Sequence, residues 1–285
     1  MPALNFIKIL GNLKFFAVGL KLPINFDEKY YKDRNPEQGE QGHMPQTMPP
    51  WFMAPHPGYK YQQDSCDKIG QNFKDFHDTM IDAVGFAHNM WKLQAKFGSL
   101  QIMAVSAIGT PGCLSGPELE SLIKTAPQCA AWTGNMAKHR DAVAKGVSKC
   151  FKQWQDQVTI PGLPLYPAFA AFPGPMAPPM PNIPVPLIAC ISGQMSMIIT
   201  PNQMQSEMGN ALDGGLKDKD KTKQYDALYG SIALVLSLSF MIWLASQQLM
   251  LTLGKGPIPT FAPPFVPVGP VVAGDNISIP GHVMT

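Results

Sequence analysis

Residues 161–186 read PGLPLYPAFAAFPGPMAPPMPNIPVP, with ten prolines in 26 positions. Proline-rich segments are usually hydrophilic and disordered. This one is apolar, carrying Tyr166, Phe169, Phe172, Met176 and Met180. Left in water, it would form the kind of large apolar patch that soluble proteins avoid. Proline has no N–H to donate, which argues against a place in the middle of a sheet. The reading is an extended, polyproline-like strap pressed onto other surfaces, with proline reducing the entropy lost on ordering. Around it, residues 157–206 contain no Asp, Glu, Lys, Arg or His.

Downstream, PLIACISGQMSMIITPNQM (186–204) is apolar and reads as helical. It faintly echoes LQIMAVSAIGTPGCLSG (100–116), since both apolar runs end in Thr-Pro and a polar turn. Residues 214–226 hold seven charges in 13 positions and read as an exposed turn after a polar helix near 202–213. Residues 227–254, ALYGSIALVLSLSFMIWLASQQLMLTLG, are 28 positions without a charge. About 20 helical residues cross a bilayer core, so one reading is a single transmembrane helix. The second is a helix buried in protein, with Ser231, Ser237, Ser239, Ser246, Gln247 and Gln248 hydrogen-bonding to neighbouring helices, and the third is a pair of core strands. The tail 256–285 is a second proline-rich apolar strap and includes Phe261 and Phe265. Asn276-Ile-Ser within it is formally a glycosylation sequon.

Upstream, residues 131–157 show an apolar stripe of Trp132, Met136, Val143, Val147, Cys150 and Trp154 at helical spacing. Residues 66–97 give the clearest helix, with Ile69, Phe73, Phe76, Met80, Val84, Ala87 and Trp91 on one face and Gly98 as a stop. The uncharged stretch 97–117 reads as a buried helix or a buried strand. Ser115 with Glu118 three residues on reads as a capping box for a short helix over 116–124. Residues 24–65 form a proline- and glutamine-rich arm whose Trp51 and Phe52 suit anchoring on a surface. In residues 4–20, Leu4, Ile7, Leu10, Leu13 and Phe16 recur near helical spacing among lysines. That pattern suits a basic amphipathic helix lying on a membrane surface, docking in a partner's groove, or serving as one more core helix.

The fold expected is therefore mainly α: a helical core, long irregular proline-rich apolar arms, and one long uncharged helix near 227–253. The expected units are an N-terminal amphipathic helix (1–23), the arm (24–65), a helical domain (66–157), the uncharged strap and buried segment (158–202), a helical hairpin (203–254) and the C-terminal strap (255–285).

Composition narrows the function. Charged residues are 15% of 285, against roughly 25% in an ordinary soluble domain, which points to burial in a permanent complex or in a membrane. The net charge of +2 comes with interspersed signs and no basic cluster, so nucleic acid is not an expected partner. The five cysteines, Cys66, Cys113, Cys129, Cys150 and Cys190, have no CxxC pair and read as buried thiols in a reducing compartment. Lysines interrupt the N-terminal apolar run, so a signal peptide is not expected and folding is expected in a cytoplasm. His77 and His88, 11 positions apart, share a helix face without enough converging ligands for a metal. They read as surface histidines. No GxSxG, HExxH or GxxxxGK[ST] motif occurs. No catalytic residue, metal or cofactor is expected.

These features point to a non-enzymatic structural subunit of a large assembly, contacting other subunits and copies of itself through apolar helices and proline-rich arms. The contact candidates are Trp51, Phe52, Tyr166, Phe169, Phe172, Met176, Met180, Leu236, Phe240, Trp243, Phe261 and Phe265. In its low charge, high methionine and apolar irregular arms, the chain is similar to minor virion proteins of tailed phages, such as tail or baseplate components. That likeness implies a virion or another large particle assembled in the cytoplasm. The alternative is a single-span membrane protein, or a membrane-embedded subunit of a viral or secretion machine.

Overall fold

The computed structural model describes residues 3–18, 57–167, 175–220, 223–258 and 271–281, with backbone alone at 16–18, 57–67 and 69. The candidates Trp51, Phe52, Phe169, Phe172, Phe261 and Phe265 lie outside these residues.

The two long amphipathic helices, Pro57–Gln94 and Gly134–Asp156, follow the 3.6-residue apolar period. The helices are α1 (Lys8–Val18), α2 (Pro57–Gln94), α3 (Leu119–Lys124), α4 (Gly134–Asp156), α5 (Ser196–Ile199), α6 (Pro201–Ala211), α7 (Gly214–Lys219) and α8 (Gln224–Ser246). On α2, Phe76, Met80, Val84, Ala87 and Trp91 are all buried. Gly98 does not stop this helix, which ends at Gln94 and gives way to β1 (Lys96–Phe97), paired with β4 (Leu114–Ser115). The capping box does not form either. Glu118 is the N-cap of α3 without a side-chain cap, and Ser115 Oγ instead donates to the Lys96 carbonyl. The charged stretch after 214 is not a bare turn: Asp213 caps α7, accepting from the Gly215 N–H at 2.8 Å.

The mainly α expectation is overturned by a seven-stranded, wholly antiparallel sheet, so the fold is mixed α/β. Its strands are β2 (Gln101–Ala104), β3 (Ser106–Gly109), β5 (Val158–Pro164), β6 (Met176–Pro181), β8 (Ile191–Ser192), β10 (Leu253–Pro257) and β11 (Val271–Ile277), in spatial order β6-β10-β11-β2-β3-β5-β8. A separate short pair joins β7 (Val185–Pro186) to β9 (Gln248–Leu249). Parts of both proline-rich segments are thus strands, and β5 lies inside the sheet.

Proline is accommodated by two devices. Pro161 falls where the β5–β3 register shifts between Ala107 and Gly109, and Pro178 and Pro179 fall where the β6–β10 register shifts between Gly254 and Gly256. Irregularities of this kind remove the demand for a donor at the shifted position. The intervening residues with an N–H supply the bonds: Leu165 donates to the Val105 carbonyl at 2.8 Å and Ile183 to the Pro164 carbonyl at 2.8 Å. The two apolar Thr-Pro segments differ in structure. One is the β2–β3 hairpin, and the other is a 3₁₀ turn, β8 and α5.

The long apolar helix ends at Ser246, not near 253, because Gln247 is extended and leads into β9. It includes one charge, Asp226, in its first turn. α8 is the one helix among the described residues long and apolar enough to cross a membrane. It is enclosed by its own chain, with α1, α2, α5 and α6 packed on it, and only Met241, Ile242, Ala245 and Ser246 exposed. One continuous core joins the helices to the inner sheet face, through Ile102, Ala107, Ile160, Leu163, Met180 and Val271.

Candidate interaction surfaces

The six contact candidates among the described residues do not gather on one surface. Of those described, Tyr166 and Met176 are exposed, the first just after β5 and the second at the start of edge strand β6. Met180, Leu236, Phe240 and Trp243 are core residues. Phe240 and Trp243 belong to an aromatic cluster with Trp91, Phe151 and Trp154, so helices of the same chain supply the cover expected from a partner.

The histidines of α2 lie in the core and not on the surface. His77 Nδ1 donates to Asp78 Oδ1 at 2.8 Å. Burial lowers its pKa below 6.5, with the Asp78 hydrogen bond and charge opposing that shift. His88 is wholly enclosed by Trp91, Phe151, Phe240 and Trp243, with the Trp243 ring edge-on at 4.5 Å. Neither of its ring nitrogens has a hydrogen-bond partner, and burial holds its pKa well below 6.5. Burial likewise pushes the thiols up, Cys113 to about 11 and Cys150 and Cys190 to about 12, which leaves them protonated and weakly nucleophilic. Among the described residues, no three His, Cys, Asp or Glu side chains are placed to hold a metal ion. A shallow groove of about 330 Å³ beside the start of the chain is lined by Leu4, Phe6, Gly85, Phe86, Asn89 and Asp82, and Lys8 already pairs with that carboxylate at 2.7 Å.

Two surfaces break the usual partition of apolar residues inward. The first is α1. Its inward side carries Gly11 and Phe15, with Leu4 buried in the segment just before it, together with polar groups that are clasped: Lys8 to Asp82, Asn12 Nδ2 to Asp78 Oδ1 at 3.5 Å, and Lys14 Nζ to the Gly230 carbonyl at 3.0 Å. Gly11 permits the close approach, since a Cβ there would collide with the His77 ring and with Val235. The outward side carries Ile9 at 68% exposure and Leu13 at 64%, flanked by Ile7 and Leu10. The expected stripe Leu4–Ile7–Leu10–Leu13 therefore splits, with only Leu4 buried.

The second surface is the outer face of the sheet, where Met103, Ile108, Ile191 and Val272 are exposed. Sequence reasoning passed over all four: Met103, Ile108 and Ile191 because 97–117 and 186–200 read as buried, and Val272 because 255–285 read as an irregular strap. The alternation around Ile102 and Ala107 was the available signal.

No protein-family model matches the chain, and no curated protein or solved structure matches it. Its function must be argued from these surfaces.

Proposed function

We propose that the chain is a non-enzymatic structural subunit of a large protein assembly formed in the cytoplasm, a phage tail or baseplate being the kind of particle its composition resembles. The observation that carries this reading is the reversed polarity of α1. Its lysines and asparagine are bonded to the body of the protein, while Ile9 and Leu13 stand in water. Leaving two aliphatic side chains largely exposed forgoes burial worth about 1.5–3 kcal/mol each. A neighbouring subunit recovers it by accepting the helix in an apolar groove, as amphipathic helices are commonly received.

The test is sedimentation of the purified full-length chain. We expect wild-type protein to form species larger than a dimer. Ile9→Glu and Leu13→Glu should abolish these while changing unfolding stability by no more than about 0.5 kcal/mol, as for other exposed positions. Persistence of the large species in both variants, or their absence from wild type, overturns the reading.

A further inference from the structure

We infer that α1 is a pH-released arm, which lifts from the body of the protein when His77 takes up a proton beneath it. This device is independent of the subunit reading. His77 is buried, and α1 roofs it. A Cβ at Gly11 would collide first with His77 Nε2, so the helix backbone lies directly over that nitrogen. Nδ1 is engaged with Asp78, and Nε2 has no hydrogen-bond partner. In the neutral ring Nε2 is a bare acceptor under the helix. Protonation turns it into part of a charged group sealed from water, which a buried site strongly disfavours. Lifting α1 brings water to it.

Little holds the arm down. α1 packs on α2 and α8. Among its described side chains, Phe15 supplies the apolar grip, its ring centroid 5.2 Å from that of Phe73, while Ile9, Leu10 and Leu13 are exposed. The other ties are polar. Lys8 and Asp82 pair with side chains 31% and 47% exposed, and Lys14 reaches the Gly230 carbonyl. Asn12 donates at 3.5 Å to Asp78 Oδ1, the oxygen that His77 also uses. Half-exposed ion pairs and long hydrogen bonds stabilise weakly. An element held in this way opens locally at far lower cost than the core unfolds.

The groups facing the ring fix the direction of the response. Burial disfavours the charged form, Asp78 on α2 favours it, and Lys8 on α1 opposes it. α8 turns the Val235 side chain and the Ser231 backbone towards the ring, and no charge. On α4, His139 is engaged with the Tyr229 hydroxyl at 2.8 Å. When α1 lifts, the burial and Lys8 leave together and Asp78 stays. The released state therefore binds the proton more tightly. Docking is complete above pH 6.5 and weakens as pH falls below that value towards the docked-state pKa. One proton limits the effect to about tenfold per pH unit.

The experiment is hydrogen exchange at pH 7.5 and pH 5.5, corrected for intrinsic rates. It uses full-length protein carrying Leu13→Glu, so that association through α1 does not mask the arm. Amides of Asn12–Phe15 should be less protected than those of Met80–Trp91 at both pH values. Their protection should fall about three- to tenfold on acidification. His77→Gln should remove that fall and His88→Leu should retain it, which separates release of the arm from acid loss of the whole fold. Gly11→Ala should displace the arm already at pH 7.5. Should His77→Gln misfold, deuterium exchange at the histidine C2 positions of protein with native His77 replaces it: His77 should exchange faster than His88 at pH 5.5. Equal α1 protection at the two pH values, a fall that persists in His77→Gln, undiminished protection in Gly11→Ala, or C2 exchange at His77 as slow as at His88 overturns the inference.

Discussion

At the scale of single residues, the buried histidines are the most consequential feature. His88 occupies a space that an apolar side chain would fill, with no hydrogen bond at either nitrogen. Its folded-state pKa is depressed, so the neutral form folds and the unfolded chain takes up the proton first. The stability it permits is complete above pH 6.5 and is lost as pH falls below that value towards the folded-state pKa. His77 and His139 are lowered by burial too and act in the same direction. Urea midpoints should therefore fall from pH 7.5 to pH 5. His88→Leu should keep stability at pH 7.5 within about 1.5 kcal/mol, as for a swap of similar volume, and flatten the acid loss. An unchanged pH slope in that variant would remove His88 from the account. The burial of both residues was legible in the numbering. His77 is three before Met80 and seven before Val84, and His88 is four after Val84 and three before Trp91, so both sit on the apolar stripe of α2.

At the scale of elements, helices were readable and strands were not. A stripe such as Val143, Val147, Cys150 and Trp154 repeats within one segment, and all four side chains are buried. The strands of the sheet run from two to seven residues, too short for a period-2 pattern to stand out. Their proline content argues against pairing unless the register shifts can be foreseen, and those depend on partners far away in sequence. Contact surfaces were hidden for a related reason. Apolar residues mark both core and interface, and only tertiary packing separates Leu236, which is buried, from Leu13, which is not. Two substitutions test the helical packing. Gly146 on α4 sits so close to α6 that a Cβ would lie 2.6 Å from the Met208 backbone. Gly146→Ala should cost about 1–3 kcal/mol through overpacking, read as a lowered denaturant midpoint. Leu236→Lys places an amine in the centre of the core and should abolish soluble folded protein. Soluble Leu236→Lys protein with wild-type circular dichroism would contradict the enclosure of α8.

At the scale of the whole molecule, the sheet draws strands from three distant parts of the chain. β10 and β11, after residue 250, insert between β6 and β2. Two asparagines fasten this interleaving. Asn182, buried just after β6, donates its amide to the Leu249 carbonyl at 3.0 Å and accepts from the Thr252 N–H at 3.0 Å. Asn276 on β11 accepts from the Leu100 N–H at 2.9 Å and donates to the Phe97 carbonyl at 3.0 Å. The sequon asparagine thus has its side-chain amide engaged within the fold. Asn182 also donates to the Ile183 carbonyl at 2.9 Å, so it satisfies three backbone groups and Asn276 two, and truncation strands them, at about 1–3 kcal/mol per buried group. If the helices and the sheet fold as one cooperative unit through their shared core, Asn182→Ala and Asn276→Ala should shift the whole unfolding transition together. The check is denaturant titration followed by helix-sensitive circular dichroism at 222 nm and by tryptophan fluorescence, since Trp91, Trp154 and Trp243 all lie in the helical layer's core. Hydrogen exchange of the β10 and β11 amides adds a probe on the sheet. Coincident shifts in all three signals are expected. Early opening of β10 and β11 with the tryptophan signal unmoved would mean that the C-terminal strands are a separable layer, and that the proline-rich segments are latched onto a helical body that stands without them.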